Sequence, residues 1–207
     1  EAAVSVMNYK DEGFLPDALF NYLVRLGWSH GDQEVFTRKE IIQFFNLKDV
    51  HRAGAIFDIK KLEWVNGVYL KAMSDEKILD YVLVFIDKDF VKKTDLFEDK
   101  NRLLLISLYK ERVKTVKELA QEIITFANQP IFAITELQQY ITKETGQQLK
   151  IVEEALEKLI QWNEIDISAC IKNICKTLTI KLPLIAQPLR LALTGKTASP
   201  GIFELLA

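Results

Sequence analysis

The chain has 207 residues, 49% of them hydrophobic and 27% charged, and a formal net charge of -2. The apolar share excludes a disordered chain and suffices for one to three small cores. The slightly acidic balance excludes a global basic field, so any nucleic-acid binding has to rest on local patches.

In chain order, Leu15-Pro16-Asp17 places proline in the first turn of a helix that Gly27 can end. Thr37 to Glu40 reads as a capping box before Ile41, Ile42, Phe44 and Phe45. The stretch Val65 to Leu70, turning at Asn66-Gly67, is the one good hairpin candidate. From Asp75 the residues Ile78, Leu79, Val82, Leu83, Phe85 and Ile86 recur at helical spacing, and Leu103, Leu104, Ser107 and Leu108 continue the pattern. Thr115 to Glu118 repeats the capping box before Leu119, Ile123 and Ile124, and Val152, Ala155, Leu156 and Leu159 form a further apolar stripe. No glycine or proline falls between Gly67 and Pro130 or between Gly146 and Pro183, which leaves room for long helices. Ser199-Pro200-Gly201 opens a short helix to Leu206, with Ser199 as cap and Pro200 at the first helical position. Free N–H groups at such a start suit a phosphate or a base carbonyl; the plain alternative is an ordinary capped helix. The expected class is mainly α, without internal repeats, with soft boundaries near Asp75 and Pro130.

Catalytic patterns are scarce. Cys170 and Cys175, the only cysteines, with His30 and His51 elsewhere, make no metal-ligand pattern and read as free thiols in a reducing compartment. Gly195-Lys196-Thr197 resembles the end of a phosphate-binding loop, but the required earlier glycine is replaced by Arg190. Neither histidine has an evident nucleophile partner, and no run of about 18 apolar residues could span a bilayer. The reading is a soluble, cytoplasmic protein with no catalytic, cofactor or metal residues of its own.

Local charge carries more. Between residues 101 and 118 five positive residues (Arg102, Lys110, Arg112, Lys114, Lys117) face two negative ones, and between 176 and 207 four (Lys176, Lys181, Arg190, Lys196) face Glu204 alone. These basic segments on an acidic chain are candidates for a phosphate-facing surface. Two solvated helix faces are the plain alternative.

Three stretches carry a resemblance. The first is Ala3-Val4-Ser5-Val6 with Gly13-Phe14-Leu15-Pro16-Asp17-Ala18-Leu19 and Asn21-Tyr22-Leu23-Val24-Arg25-Leu26-Gly27-Trp28-Ser29. The second is Phe57-Asp58 with Lys61-Leu62, Trp64 and Asn66. The third is Gln187-Pro188-Leu189-Arg190, Ala192-Leu193-Thr194-Gly195 and Ser199-Pro200-Gly201. In order and spacing they resemble the carboxy-terminal part of bacterial-type glutamyl-tRNA synthetases, class I enzymes that attach glutamate to tRNA using ATP.

The resemblance implies a stem-contact helical region at 1–75 and an all-helical anticodon-binding domain of two subdomains, 76–134 and 135–207. It implies tRNA(Glu) as partner, no membrane or DNA partner and a monomer. ATP with Mg is expected only for a catalytic domain, whose HIGH and KMSKS motifs do not occur in these residues. Arg112 and Lys114 match the segment that approaches the third anticodon base. Arg190, Thr194, Ser199, Pro200 and Ile202 match the anticodon-contacting signature. A helical module that has kept the ancestry but binds protein instead of RNA is the alternative.

Overall fold

Pro16 fixes its own φ and needs no N–H partner at the first turn, and a helix starts there and ends at Gly27, as the sequence predicts. The structure is a computed structural model that describes residues 5–51, 54, 56–93, 99–128 and 138–207. Ala3 and Val4 of the first motif, the boundary at Pro130 and the subdomain limit at 134–135 lie outside the described residues.

The chain runs through α1 (Val6–Asp11), α2 (Pro16–Gly27), α3 (Arg38–Phe44), a 3-10 turn (Leu47–Asp49), α4 (Ile59–Ala72) and α5 (Asp75–Val82). It continues through α6 (Lys88–Lys93), α7 (Asp99–Tyr109), α8 (Val116–Ala127), α9 (Lys143–Leu156), α10 (Glu164–Thr177), α11 (Pro183–Thr194) and α12 (Ile202–Leu206). Among the described residues there is no β-strand, only an isolated bridge between His30 and Gln33. The mainly helical class stands. No helix among the described residues is long and apolar enough to cross a membrane.

Two compact units divide the chain, Glu1–Ile124 and Thr125–Ala207. In the first, α2 packs on α4 and α3, and α5 packs on α7. Tyr9, Leu19, Tyr22 and Leu62 form one buried cluster, and Trp28, Phe36 and Ile41 another. Two buried asparagines tie loops to these helices. Asn21 donates to Glu34 O at 3.0 Å and accepts from Phe36 N at 2.8 Å. Asn66 performs the same double duty for the site described below.

In the second unit α9 packs on α10 and α11, and α12 closes against α10 and α11. Val152, Leu156, Ile167, Ile171, Ile174, Cys175 and Ile185 make its core. Each large aliphatic side chain buried there contributes roughly 1.5–3 kcal/mol. Local chemistry sets the helix ends. The Thr142 hydroxyl caps α9 through Thr145 N at 3.2 Å, and Asn163 Oδ1 caps α10 through Asp166 N at 2.9 Å. Gly195, at φ 67°, ends α11 in the left-handed region. Both cysteines are free; burial pushes the Cys175 thiol up.

Four sequence expectations need correction. Val65 to Leu70 is not a hairpin but the middle of α4, where Val65, Asn66, Gly67 and Leu70 are buried. In α7 the buried residues are Leu105, Ile106 and Tyr109, while Leu104 is 49% exposed. The run Leu103 to Ile106 is apolar throughout, so periodicity alone left the phase of that helix open. The Thr37–Glu40 box closes both ways, but at Thr115 only half of it forms: Glu118 N donates to the Thr115 hydroxyl, and the Glu118 carboxylate accepts instead from Lys114 N at 2.7 Å. Finally, the last helix starts at Ile202 with Gly201 as cap, and Ser199 caps nothing.

Candidate nucleic-acid interface

The loop between α7 and α8 carries Arg112 and Lys114, and two other segments, α4 and the turn before α2, fix its backbone. Asn66, fully buried on α4, donates from Nδ2 to Lys114 O at 2.6 Å and accepts from Leu15 N at 2.7 Å. Val116 N donates to Gly13 O at 3.0 Å. The loop passes over α4 at ordinary contact distance: a Cβ at Gly67 would lie 3.8 Å from Val113 O. Gly13 sits at φ +81°, and a Cβ on it would fall 2.4 Å from Lys117 N. Residues of the first two sequence motifs thus hold the loop that the third base was expected to approach.

The charge of this loop is smaller than the sequence suggests. Lys110 pairs with Asp75 at 2.8 Å, Lys114 with Glu63 at 2.7 Å and Lys117 with Glu12 at 3.1 Å. The hydrogen bond it donates to the Glu63 carboxylate is the main reason the Lys114 ammonium titrates above its ordinary value. Arg112 is exposed and, among the described residues, makes no ion pair. Its guanidinium is planar, permanently charged and presents its donors outward.

In the second unit the structure brings Arg190, Thr194, Ser199, Pro200 and Ile202 together around the turn from α11 to α12. Arg190 Nε donates to Ser199 Oγ at 2.8 Å and Nη1 to Gln187 Oε1 at 3.2 Å. Both acceptors are neutral, so the half-buried guanidinium is oriented without being neutralised, and among the described residues no acid pairs with it. Ser199 therefore positions the arginine; its hydroxyl donates a hydrogen bond to Pro200 O at 3.0 Å. The Thr194 hydroxyl donates to Arg190 O at 2.8 Å and accepts from Lys196 N at 3.2 Å, folding the chain back after α11. Pro200 and Ile202 are buried and hold the turn. The Glu204 carboxylate takes the Gly201 N–H at 3.1 Å, so the start of α12 is already occupied by an acid of the same chain. Sequence reasoning did not single out Gln187 or Asn66 as positioning residues. Gln187 was legible in principle, one turn before Arg190 in the same motif.

Residues 65–207, more than half of the chain, match the family model described as an anticodon binding domain. The chain belongs to that family. The preceding residues, 1–64, match the model described as tRNA synthetases class I (E and Q), catalytic domain. Similar curated proteins include the glutamate–tRNA ligase of Thermodesulfovibrio yellowstonii, 39% identical over 99% of this chain and 44% of that protein. The glutamate–tRNA ligase of Rhodopseudomonas palustris strain CGA009 is 41% identical over 99% of this chain and 45% of that protein. The crystal structure of a glutamate tRNA ligase from Elizabethkingia meningosepticum, in complex with its amino acid, superposes with a TM-score of 0.83 at 30% identity, covering 95% of this chain and 39% of that one. The chain spans less than half the length of the curated relatives it matches.

The family boundary between residues 64 and 65 falls inside α4, Ile59–Ala72. The sequence families therefore divide where the backbone does not.

Proposed function

We propose that this chain is the tRNA-holding and anticodon-reading part of a glutamate–tRNA ligase, and that the whole protein joins glutamate to tRNA(Glu) using ATP. The observation that carries the reading is Arg190 held by Ser199 and Gln187, two neutral partners, inside the stretch that matches an anticodon binding domain. A guanidinium fixed in direction yet uncompensated in charge suits the phosphates and base edges of a splayed RNA loop. In this reading residues 1–75 brace the tRNA stem, and 76–134 and 135–207 hold the anticodon. Arg112, Lys114, Arg190 and Thr194 bind backbone or base edges, and Ser199, Pro200 and Ile202 form the turn on which bases rest. Phosphate contacts set the register and base contacts select the sequence.

ATP and Mg belong to the part of such a ligase beyond this chain. The HIGH and KMSKS motifs of the family's catalytic domain do not occur in these 207 residues.

Fluorescence anisotropy with tRNA(Glu) and an unrelated tRNA tests the proposal. Affinity for tRNA(Glu) is expected to fall roughly tenfold between about 50 and 200 mM salt, and to exceed that for the unrelated tRNA. Equal affinity for both at every salt concentration would remove the anticodon-reading role and leave the protein-binding alternative.

A further inference from the structure

Lys114 is held at every polar group it has. Its carbonyl accepts from the Asn66 amide at 2.6 Å, its N–H donates to the Glu118 carboxylate at 2.7 Å, and its ammonium pairs with Glu63 at 2.7 Å. The two backbone bonds come from opposite directions along the chain, Asn66 from the middle of α4 and Glu118 from the first turn of α8. Together they fix the peptide planes on both sides of Lys114. Arg112 stands two residues upstream, with Val113 buried between them and its own N–H donated to Tyr109 O at 2.9 Å. We infer that Asn66 and Glu118 form a clamp that sets the direction of Arg112, and so are positioning residues for discrimination at the third anticodon base; the inference rests on the tRNA-reading role proposed above.

Two observations separate this clamp from ordinary closure of the fold. The Thr37–Glu40 box shows what the same signature does when it serves its helix alone: the Glu40 carboxylate returns to the Thr37 N–H. At Thr115 the corresponding acid reaches one residue further back and takes the Lys114 N–H, so its bond restrains the loop rather than its own cap. Asn66, buried in mid-helix, likewise directs its donor to a loop carbonyl 48 residues away. The consequence differs for charge and for direction. A phosphate is attracted by a guanidinium wherever it points, whereas paired hydrogen bonds to a base edge require the planar fork at one angle. A loop fixed before RNA arrives keeps that angle without an ordering cost on binding. A loosened loop still attracts phosphates but reads the edge less well, so right and wrong bases bind more nearly alike.

The test is fluorescence anisotropy on the full 207-residue chain, with tRNA(Glu) transcripts that differ only at the third anticodon base. Asn66→Asp keeps an acceptor for the Leu15 N–H and removes the donor to Lys114. Glu118→Ala removes the exposed carboxylate, and Glu118→Gln keeps an acceptor oxygen in its place. The affinity ratio between right and wrong base is expected to shrink about three- to tenfold in Asn66→Asp and Glu118→Ala, and to stay within about twofold of the wild type in Glu118→Gln. The number of phosphate contacts, read from the salt slope, should not change. On an Arg112→Gln background neither Asn66→Asp nor Glu118→Ala should shrink the ratio further, because the group they aim is gone. A lower unfolding midpoint with an unchanged ratio makes Asn66 and Glu118 merely structural and overturns the inference, leaving the anticodon-reading role in place. A loss that persists on the Arg112→Gln background also overturns it, since the clamp then acts on something else. If Arg112→Gln itself keeps the wild-type ratio, that arginine reads no base and the inference falls with its premise. Because Glu118 is exposed, Glu118→Ala carries the test alone should Asn66→Asp fail to fold.

Discussion

Asn66 and Lys114, 48 residues apart in sequence, are joined by a 2.6 Å hydrogen bond from the buried Asn66 Nδ2 to the Lys114 carbonyl. The same side chain receives the Leu15 N–H at 2.7 Å. One amide thus closes a bridge between the start of α2, the middle of α4 and the loop that presents Arg112. Asn66→Ala leaves a buried donor and an acceptor without partners, and is expected to lower stability by about 2–4 kcal/mol in urea unfolding.

Gly13 and Gly31 both have positive φ, +81° and +54°, but differ in surroundings. A Cβ at Gly13 meets Lys117 N at 2.4 Å, whereas nothing lies within 4 Å at Gly31. Gly31→Ala should cost about 1 kcal/mol, from the backbone alone. Gly13→Ala should cost more than about 3 kcal/mol, because the Val116–Lys117 backbone has to move as well. Paired thermal melts compare the two.

Arg112→Gln replaces a planar charged fork with a neutral amide. Affinity for tRNA(Glu) is expected to fall, and discrimination at the third anticodon base to relax by roughly 1–3 kcal/mol, while the unfolding midpoint stays put. Titration against transcripts differing only at that base gives the discrimination directly.

Ser199→Ala removes the acceptor that orients Arg190 Nε. The charge remains but its direction is lost, so tRNA affinity should drop about three- to tenfold with a salt dependence close to that of the wild type. Arg190→Ala should reduce the slope itself, since a phosphate contact is gone.

Acid should destabilise the first unit through named carboxylates. The Lys61 ammonium bonded to Glu34 holds its carboxyl below the ordinary 4.5, against the opposing effect of burial, with Arg25 adding to it. The Thr37 backbone N–H does the same for Glu40. A carboxyl depressed on folding stabilises above its unfolded value, and that stabilisation is lost as pH falls through its folded value. Urea midpoints are therefore expected to be flat from about pH 7 to about 5 and to fall below about 4.5. Glu34→Gln should fall less steeply there, losing at most about 1 kcal/mol at neutral pH, because the pair is well exposed.

Features fixed within four or five residues were legible in the sequence. The Pro16 start, the Thr37–Glu40 box and the Val152–Leu156 stripe needed only local geometry. The Asn66-Gly67 pair misled for the same reason. Its dipeptide signals a turn, but burial against Leu15 and Lys114 keeps it helical, and tertiary contact overrides propensity. Charge was misjudged in the same way: the acids that pair with Lys110, Lys114 and Lys117 are Asp75, Glu63 and Glu12, all distant in sequence. The Arg190–Ser199 contact spans only nine residues, and the motif containing both was visible, though the hydrogen bond that makes Ser199 a positioning residue was not.

The helix Ile59–Ala72, which crosses the family junction, has a practical consequence for anyone building chimaeras from chains of this family. A crossover at the junction would splice two parental halves of one rod, separating Leu62 from Val65 and Asn66 and mismatching the surfaces each half evolved to meet. Shifting the splice to Met73–Ser74, where the rod has ended and Asp75 begins the next, keeps the rod under single parentage. Even there, the donor of the downstream half would have to bring a Lys114 carbonyl that fits the host's Asn66.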